Sequence, residues 1–535
     1  MSDVSQTKVA PPKAGLLLSI LILGAFVSNV NLSIANVALS TVGRDLDASQ
    51  SQLTVVASSF SMALAATVLY LGAIGDRYGR KMLLLCGAAL TVPGSILGAW
   101  APNIQVLIGA RVLSGIAAGL LFPTTLSLIS ALWGGSARTK AIALWSGIGG
   151  GAAALGSVIG GVMLEEFWWG SVFLFAAPFA VIVFVLALVY LPWHAGEEVF
   201  KVDHLGGVLS VIGVATLIAG IQKVSGGFTV TLLVLFVIAI IALTLFLIRQ
   251  KNAPRPLMDL HLARQRTFWV AAVSGTVSFG SLLGAMFIGQ QFVQNVLGYD
   301  TLKSALTAVP SAIGLAVLSP VAARVLIKRG GRFTLVLGIA VIAVAFVEML
   351  VLWRPDAQLW TVLLAYGIVG CGVAFAAAAA CRALMASVPV SRAGMGSAFT
   401  DLTRDFGGAI MQAIMGTVLA IVYTDQLTTV FNGLTPTQAA QFSTEAAQAI
   451  GSSFGAAEDV ATHYPPSVAT QIISAASDAF SKGKSLAFVI ALVLVIASLL
   501  VSWLRFPNIK LEMDYYEEIA ERSDEEQSEP ATASI

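Results

Sequence analysis

Fourteen stretches of this chain stay apolar for about the thickness of a bilayer's hydrocarbon core, and that limits its fold more than any other feature. A spanning helix needs about 20 mostly apolar residues. Inside lipid every backbone N–H and C=O must find its partner within the helix or a closed barrel. Such runs lie near 15–39, 53–74, 82–100, 106–129, 141–164 and 171–192, then near 205–221 and 229–248. Six more lie near 268–293, 304–327, 333–353, 359–384, 396–423 and 485–505. An ordinary soluble domain carries roughly 25% charged residues; this chain carries 11%, with 57% hydrophobic. The reading is an all-α polytopic membrane protein.

What the chain lacks narrows its function. A net charge of +1 offers no basic footprint for nucleic acid. Cys86, Cys371 and Cys381 form no pair or cluster, and none of the four histidines sits within an apolar run. A zinc site or a Cys/His catalytic pair therefore has nothing to be built from. No nucleophile–base pair and no nucleotide-binding loop is visible, so neither an enzyme nor an ATP-driven pump is expected, and no cofactor beyond a proton gradient. Lys8 and Lys13 precede an apolar run too long for a signal peptide, so the first helix serves as an uncleaved start.

Positive charge orients the spans. With the N-terminus inside, Arg77, Arg80, Lys81, Arg138, Lys140, Arg249, Lys251, Arg264, Arg266, Arg324, Lys328, Arg329, Arg332 and Arg392 all fall in cytoplasmic segments. Only Arg44, Lys223, Lys303, Arg354, Lys482 and Lys484 fall outside. An even number of spans returns the acidic tail, 506–535, to the cytoplasm, where its run of Asp and Glu reads as a solvated, disordered segment. The long segment 424–484 falls outside, with helix-like stretches near 437–450 and 466–481. It reads equally as a pair of amphipathic helices and as a linker.

Between the second and third spans stands Gly72-Ala-Ile-Gly-Asp76-Arg77-Tyr-Gly79-Arg80-Lys81. The glycines permit a tight turn. Asp76 is poorly placed against the negative end of its own helix, so it should find a neighbouring helix N-terminus or an arginine and act as a latch. This decapeptide resembles the loop signature of the major facilitator superfamily. An echo after the tenth span, Arg324 to Arg332, keeps the glycines and basic residues but has no aspartate. Arg111 in the fourth span, within Leu107-Ile-Gly-Ala-Arg111-Val-Leu-Ser-Gly115, resembles a second superfamily signature, whose arginine is linked to proton coupling. The small-residue face Gly156, Ser157, Gly160, Gly161 of the fifth span resembles the antiporter signature of drug exporters, with Ser157 where a proline is usual. Together with the span count and the long last loop, the chain resembles the QacA-type branch of fourteen-helix drug/proton antiporters. The resemblance implies two six-helix bundles (15–192 and 268–505) after a short tail, 1–14, with two extra helices, 205–248, between them.

Coupled export of cations needs a buried carboxylate that can trade a proton for cargo. The resemblance leads one to expect an aspartate five residues before Asn36, and Asn31 stands there; asparagine hydrogen-bonds but does not titrate. Acids appear instead in the thirteenth span, where Asp401 and Asp405 are one turn apart with Arg404 alongside. Spacing of four puts both on one helical face, about two turns from the cytoplasmic end. Two carboxylates so close are most easily accommodated when they share a proton; an Asp–Arg structural bridge is the other reading. Glu348, near the outer end of the eleventh span, is placed to snorkel. Asn29, Asn31, Phe60, Trp145, Gln290 and Gln291 could line a cavity or simply pack helices. The expected function is export of amphipathic, cationic or neutral organic compounds by proton antiport through Asp401, Asp405, Arg404 and Arg111, in the cell membrane, by a monomer with both termini cytoplasmic. Transport of a lipid-like or anionic cargo, or a transport-dead membrane sensor, are the alternatives.

Overall fold

The computed structural model describes residues 11–528 except 47, 49, 194–201, 224–228, 254–255, 390–391, 433–442 and 453. Among these there is no strand. The first six long helices are α1 (Ala14–Val37), α2 (Gln50–Tyr78), α3 (Arg80–Ala99), α4 (Ile104–Leu132), α5 (Gly135–Glu166) and α6 (Ala176–Tyr190). Next come α7 (His204–Lys223), α8 (Val230–Asn252) and α9 (Arg266–Gln291). The run Val309–Leu352 is two helices end to end. At Gly330 the backbone swings to φ +80°, ψ 174°, which separates α10 (309–329) from α11 (331–352). Then follow α12 (Leu359–Ala386), α13 (Ala393–Asn432) and α14 (Pro466–Arg505). Twelve described helices are long and apolar enough to cross a membrane, with Lys303–Leu352 counted once; α5 and the division at Gly330 bring the passes to fourteen.

Two six-helix bundles result, α1–α6 and α9–α14. Within the first, α1 packs on α5, α2 on α4, and α3 between α4 and α6; within the second, α12 packs on α10 and α11, and α13 on α9 and α14. The bundles meet where α2 and α4 touch α13 and where α5 touches α10 and α12. The extra pair is not a detached arm. Val214 and Ile218 of α7 and Phe246 of α8 share a core with Ala65, Val68 and Leu69 of α2 and with Ala398 and Leu402 of α13. The outer face of α8, including Ile240 and Ile241, stays exposed, as a lipid-facing helix requires.

Two buried lysines close helix ends instead of facing water. Lys81 donates from Nζ to the carbonyls of Leu188 at 2.9 Å and Leu191 at 2.7 Å, at the end of α6. Lys484 donates to the Trp353 carbonyl just beyond α11. Each places a cation on the negative end of a helix, where the last carbonyls have no helical partner.

Three sequence expectations need correction. The segment 424–484 is not a separate cap: α13 continues to Asn432, and the stretch from Pro466 is the first part of α14. Two short helices, Thr444–Ser452 and Phe454–Ala461, lie between, and 437–442 falls outside the described residues. The acidic tail is a helix as far as Ser528, α15 (Ile509–Ser528), with Glu512 buried. Glu348 does not snorkel; both its carboxylate oxygens are buried with no hydrogen-bond partner among the described residues.

Candidate functional site

The turn from α2 to α3 needs Gly79, whose φ of +111° a side chain would strain. The turn drops Asp76, 3% exposed, against both partners that its charge calls for. Arg80 Nη2 lies 3.0 Å from Asp76 Oδ1, and the Gly394 N–H, in the first turn of α13, donates to both carboxylate oxygens at 3.0 Å. One carboxylate thus bridges the two bundles at a helix N-terminus. The approach is close because both backbones are bare. A Cβ on Gly72 would stand 2.8 Å from Gly394 O, and one on Gly394 would stand 2.5 Å from Gly72 O. Arg77 is half-buried with its guanidinium over the Tyr78 ring. The membrane side that carries this bridge is called the latch side below.

About two turns into α13 from the latch side lies a small cavity of about 20 Å³. Phe122, Trp145, Phe279, Cys381, Thr400, Asp401 and Arg404 are among its walls. Trp145 is set by its indole N–H, which donates to Thr125 Oγ1 at 2.8 Å. Arg404 Nε lies 3.2 Å from Asp405 Oδ1, its Nη1 donates to Asn29 Oδ1 at 3.2 Å, and its guanidinium sits 4.3 Å from the Phe122 ring centre. Asn29 is itself held by donating to the Ala25 carbonyl at 2.9 Å. Asp401 is 1% exposed, and its Oδ2, like that of Asp405, has no hydrogen-bond partner among the described residues. Two carboxylates and one guanidinium leave one negative charge, beside aromatic walls, for something else to neutralise.

Arg111 belongs to a second cluster. Its Nη1 donates to the Asn31 carbonyl at 2.9 Å and to Asn31 Oδ1 at 3.1 Å, and its guanidinium lies 4.6 Å from the Phe60 ring centre. Nε and Nη2 have no hydrogen-bond partner among the described residues. Asn29 and Asn31 are two residues apart on α1, so they turn to different faces and serve different arginines.

The structure therefore divides the expected site residues. Asp401, Arg404, Asp405, Asn29 and Trp145 come together around the cavity. Arg111, Asn31 and Phe60 form the other cluster, with Phe60 under the guanidinium. Gln290 and Gln291 close α9 on the far side, where Gln291 donates to the Phe287 carbonyl; neither lines the cavity. Gly156 brings α5 onto α1, where a Cβ would stand 3.0 Å from Val30 O. Gly160 is buried and Gly161 half-buried, and the Ser157 side chain lies outside the described residues. Sequence reasoning missed Phe122, Phe279, Thr400 and Cys381. For Thr400 there was a signal, its place beside Asp401; the others depend on which faces of α4, α9 and α12 turn inward.

Comparison with known proteins places the chain in a family. The family model of the Major Facilitator Superfamily matches residues 21–412. The chain is 30% identical over 506 residues to the multidrug efflux pump LfrA of Mycolicibacterium smegmatis, covering 94% of this chain and 98% of that protein. It is 29% identical over 465 residues to the methyl viologen resistance protein SmvA of Salmonella typhimurium, covering 86% and 91%. Among solved structures, the human organic anion transporter MFSD10 superposes with a TM-score of 0.54 at 12% identity, over 90% of this chain and all of that one; this likeness concerns the fold.

Proposed function

The chain belongs to the Major Facilitator Superfamily, and from that premise we propose that it exports small amphipathic organic compounds, cationic or neutral, in exchange for protons. It is a multi-pass membrane transport protein and not an enzyme. The observation that carries the export reading is the cavity that Asp401, whose Oδ2 has no hydrogen-bond partner among the described residues, shares with the rings of Phe122, Trp145 and Phe279. Aromatic faces and a carboxylate are both attractive to an organic cation. A lone negative charge in a low-dielectric interior costs several kcal/mol, so the site is stable when it holds either a cation or a proton. That exclusion is the coupling. Cargo leaves as a proton reaches Asp401, the Asp405–Arg404 pair stays neutral, and the Asp76–Gly394 bridge breaks and re-forms as access alternates. In this reading the latch side and both termini face the cytoplasm of a cell membrane, and one protomer suffices.

The names of LfrA and SmvA support an organic, drug-like cargo. A second reading, an anionic or lipid-like cargo, draws on one observation. Arg111 is buried with an asparagine instead of an acid for its partner.

The test is purified full-length protein in liposomes with an imposed pH gradient, scored by accumulation of ethidium and, in parallel, of an anionic dye such as fluorescein. Gradient-driven ethidium accumulation that is lost in Asp401→Asn is the expected result. Accumulation of the anionic dye alone would replace the cation reading with the second one. No movement of either dye would leave a sensor.

A further inference from the structure

The loop between α10 and α11 is built like the loop between α2 and α3, without its acid. Both turn on a glycine in the left-handed region, Gly79 at φ +111° and Gly330 at φ +80°. Aligning these glycines puts Ile327 where the first loop has Asp76. A carboxylate nevertheless reaches this turn, from the far end of the chain. Glu512, in the first turn of α15, is 1% exposed. Its Oε2 accepts from the Gly331 N–H, at the start of α11, at 2.7 Å, and its Oε1 lies 3.7 Å from Arg382 Nη1 of α12.

The contact is fitted to its partner. A Cβ on Gly331 would stand 2.8 Å from Glu512 Oε1, and one on Gly330 would stand 2.9 Å from Ile509 Cβ, so the tail comes this close only over a glycine pair. The Tyr516 ring centre lies 5.5 Å from the Arg382 guanidinium, and Met513 Sδ lies 3.6 Å from its Nη2. Arg382 leads on to the gate. Its neighbour Cys381, and Met385 one turn further, are buried in a core made mostly of first-bundle side chains from α1, α3, α4 and α6. An unbroken chain of contacts therefore runs from the tail, through α12, to the seam between the bundles.

We propose that Glu512 is a positioning residue of the transport cycle: by tying α15 to the start of α11 and to Arg382, it holds the latch-side end of α12 against the first bundle and keeps that side shut. Unlike Asp76, it makes its ties within one bundle. The tail is thus a strap that stiffens one wall of the gate, with Asp76 the bolt across it.

The native Cys381 allows a test that needs no cargo and so stands apart from the export reading. In a Cys86→Ser/Cys371→Ser background of the full chain, in inside-out membrane vesicles, a membrane-impermeant maleimide reaches Cys381 only when the latch side opens. Hydrogen exchange over 509–521 reports tail docking in the same samples. Glu512→Ala should raise tail exchange about tenfold, the size expected on deleting a charge-assisted hydrogen bond, and should raise Cys381 labelling in step. Glu512→Gln, which keeps the acceptor and the shape, should raise both by less and provides a folded comparison if the alanine variant loses yield. Faster tail exchange with unchanged Cys381 labelling would make the tail a passenger. Unchanged tail exchange would show that something else holds it. Either result overturns the proposal.

Discussion

Asn31 shows how much one carboxamide decides. Its Oδ1 is 3.1 Å from Arg111 Nη1, so Asn31→Asp would convert a neutral acceptor into a counter-ion for a buried cation. The variant should gain about 1 kcal/mol of stability, the difference between a neutral and a charge-assisted hydrogen bond, read as a higher midpoint in thermal unfolding of the purified protein. A lower midpoint would mean that the Arg111 charge is neutralised elsewhere. The acids of α13 separate in the same way. Asp401 Oδ2 has no hydrogen-bond partner to lose among the described residues, so Asp401→Asn should fold normally and fail only in the proposed coupling. Asp405→Asn removes the carboxylate 3.2 Å from Arg404 and should cost about 2 kcal/mol, the size of a lost charge-assisted hydrogen bond. Comparing the two unfolding midpoints checks this order.

At the scale of elements, bare backbone is what lets helices from different bundles meet. Gly394→Ala places a methyl 2.5 Å from Gly72 O and 2.6 Å from Asp76 Oδ2. The Gly72 carbonyl cannot yield without moving a helix, and the Asp76 carboxylate can yield only by leaving the Gly394 N–H, so the latch should be held open and Cys381 labelled faster from the latch side. The start of α7 carries a pH-dependent element. Asp203 caps it, accepting from the Gly206 N–H at 3.1 Å and pairing with Arg249 at 3.2 Å. Burial pushes its carboxyl up, but the bonds from Arg249 and Gly206 outweigh burial and hold it below its ordinary 3.8. Its contribution, about 1 kcal/mol for a capping side chain, should be complete above pH 3.8 and disappear as pH falls through the depressed value. The stability gap between the wild type and Asp203→Ala should therefore close on acidification, as seen in hydrogen exchange at 204–210. The helices themselves were legible in the sequence because lipid leaves the backbone no alternative, and the destination of Asp76 followed from the sign of a helix end. The depth of the cavity was not legible: Gln290 and Phe279 both sit in α9, about three turns apart and on nearly the same face, and only packing against α13 decides which one meets the cavity. Nor was α15, since a run of acids reads as solvated and the burial of Glu512 depends on two glycines almost two hundred residues away.

Taken as a whole, the molecule concentrates its buried charge at a few depths, and depth has an electrical meaning. Asp401 is the ninth residue of α13, about 12 Å from the latch-side end at 1.5 Å per residue, in a hydrocarbon layer of about 30 Å. A proton arriving from the far side would cross roughly three-fifths of the membrane voltage before binding. A full elementary charge gains about 2.3 kcal/mol per 100 mV, so the share spent reaching Asp401 is about 1.4 kcal/mol, or tenfold in occupancy. In the proposed exchange, voltage should therefore bias proton occupancy of Asp401. Net export by voltage alone is expected only for a neutral cargo, because one proton traded for one monovalent cation moves no net charge. With equal pH on both sides, a potassium–valinomycin diffusion potential of about 100 mV should shift the proton concentration for half-maximal exchange by about tenfold. A cell whose pH gradient has collapsed but whose membrane remains polarised would then still be able to expel a neutral cargo, since each entering proton carries net charge, whereas a monovalent cation would stay behind.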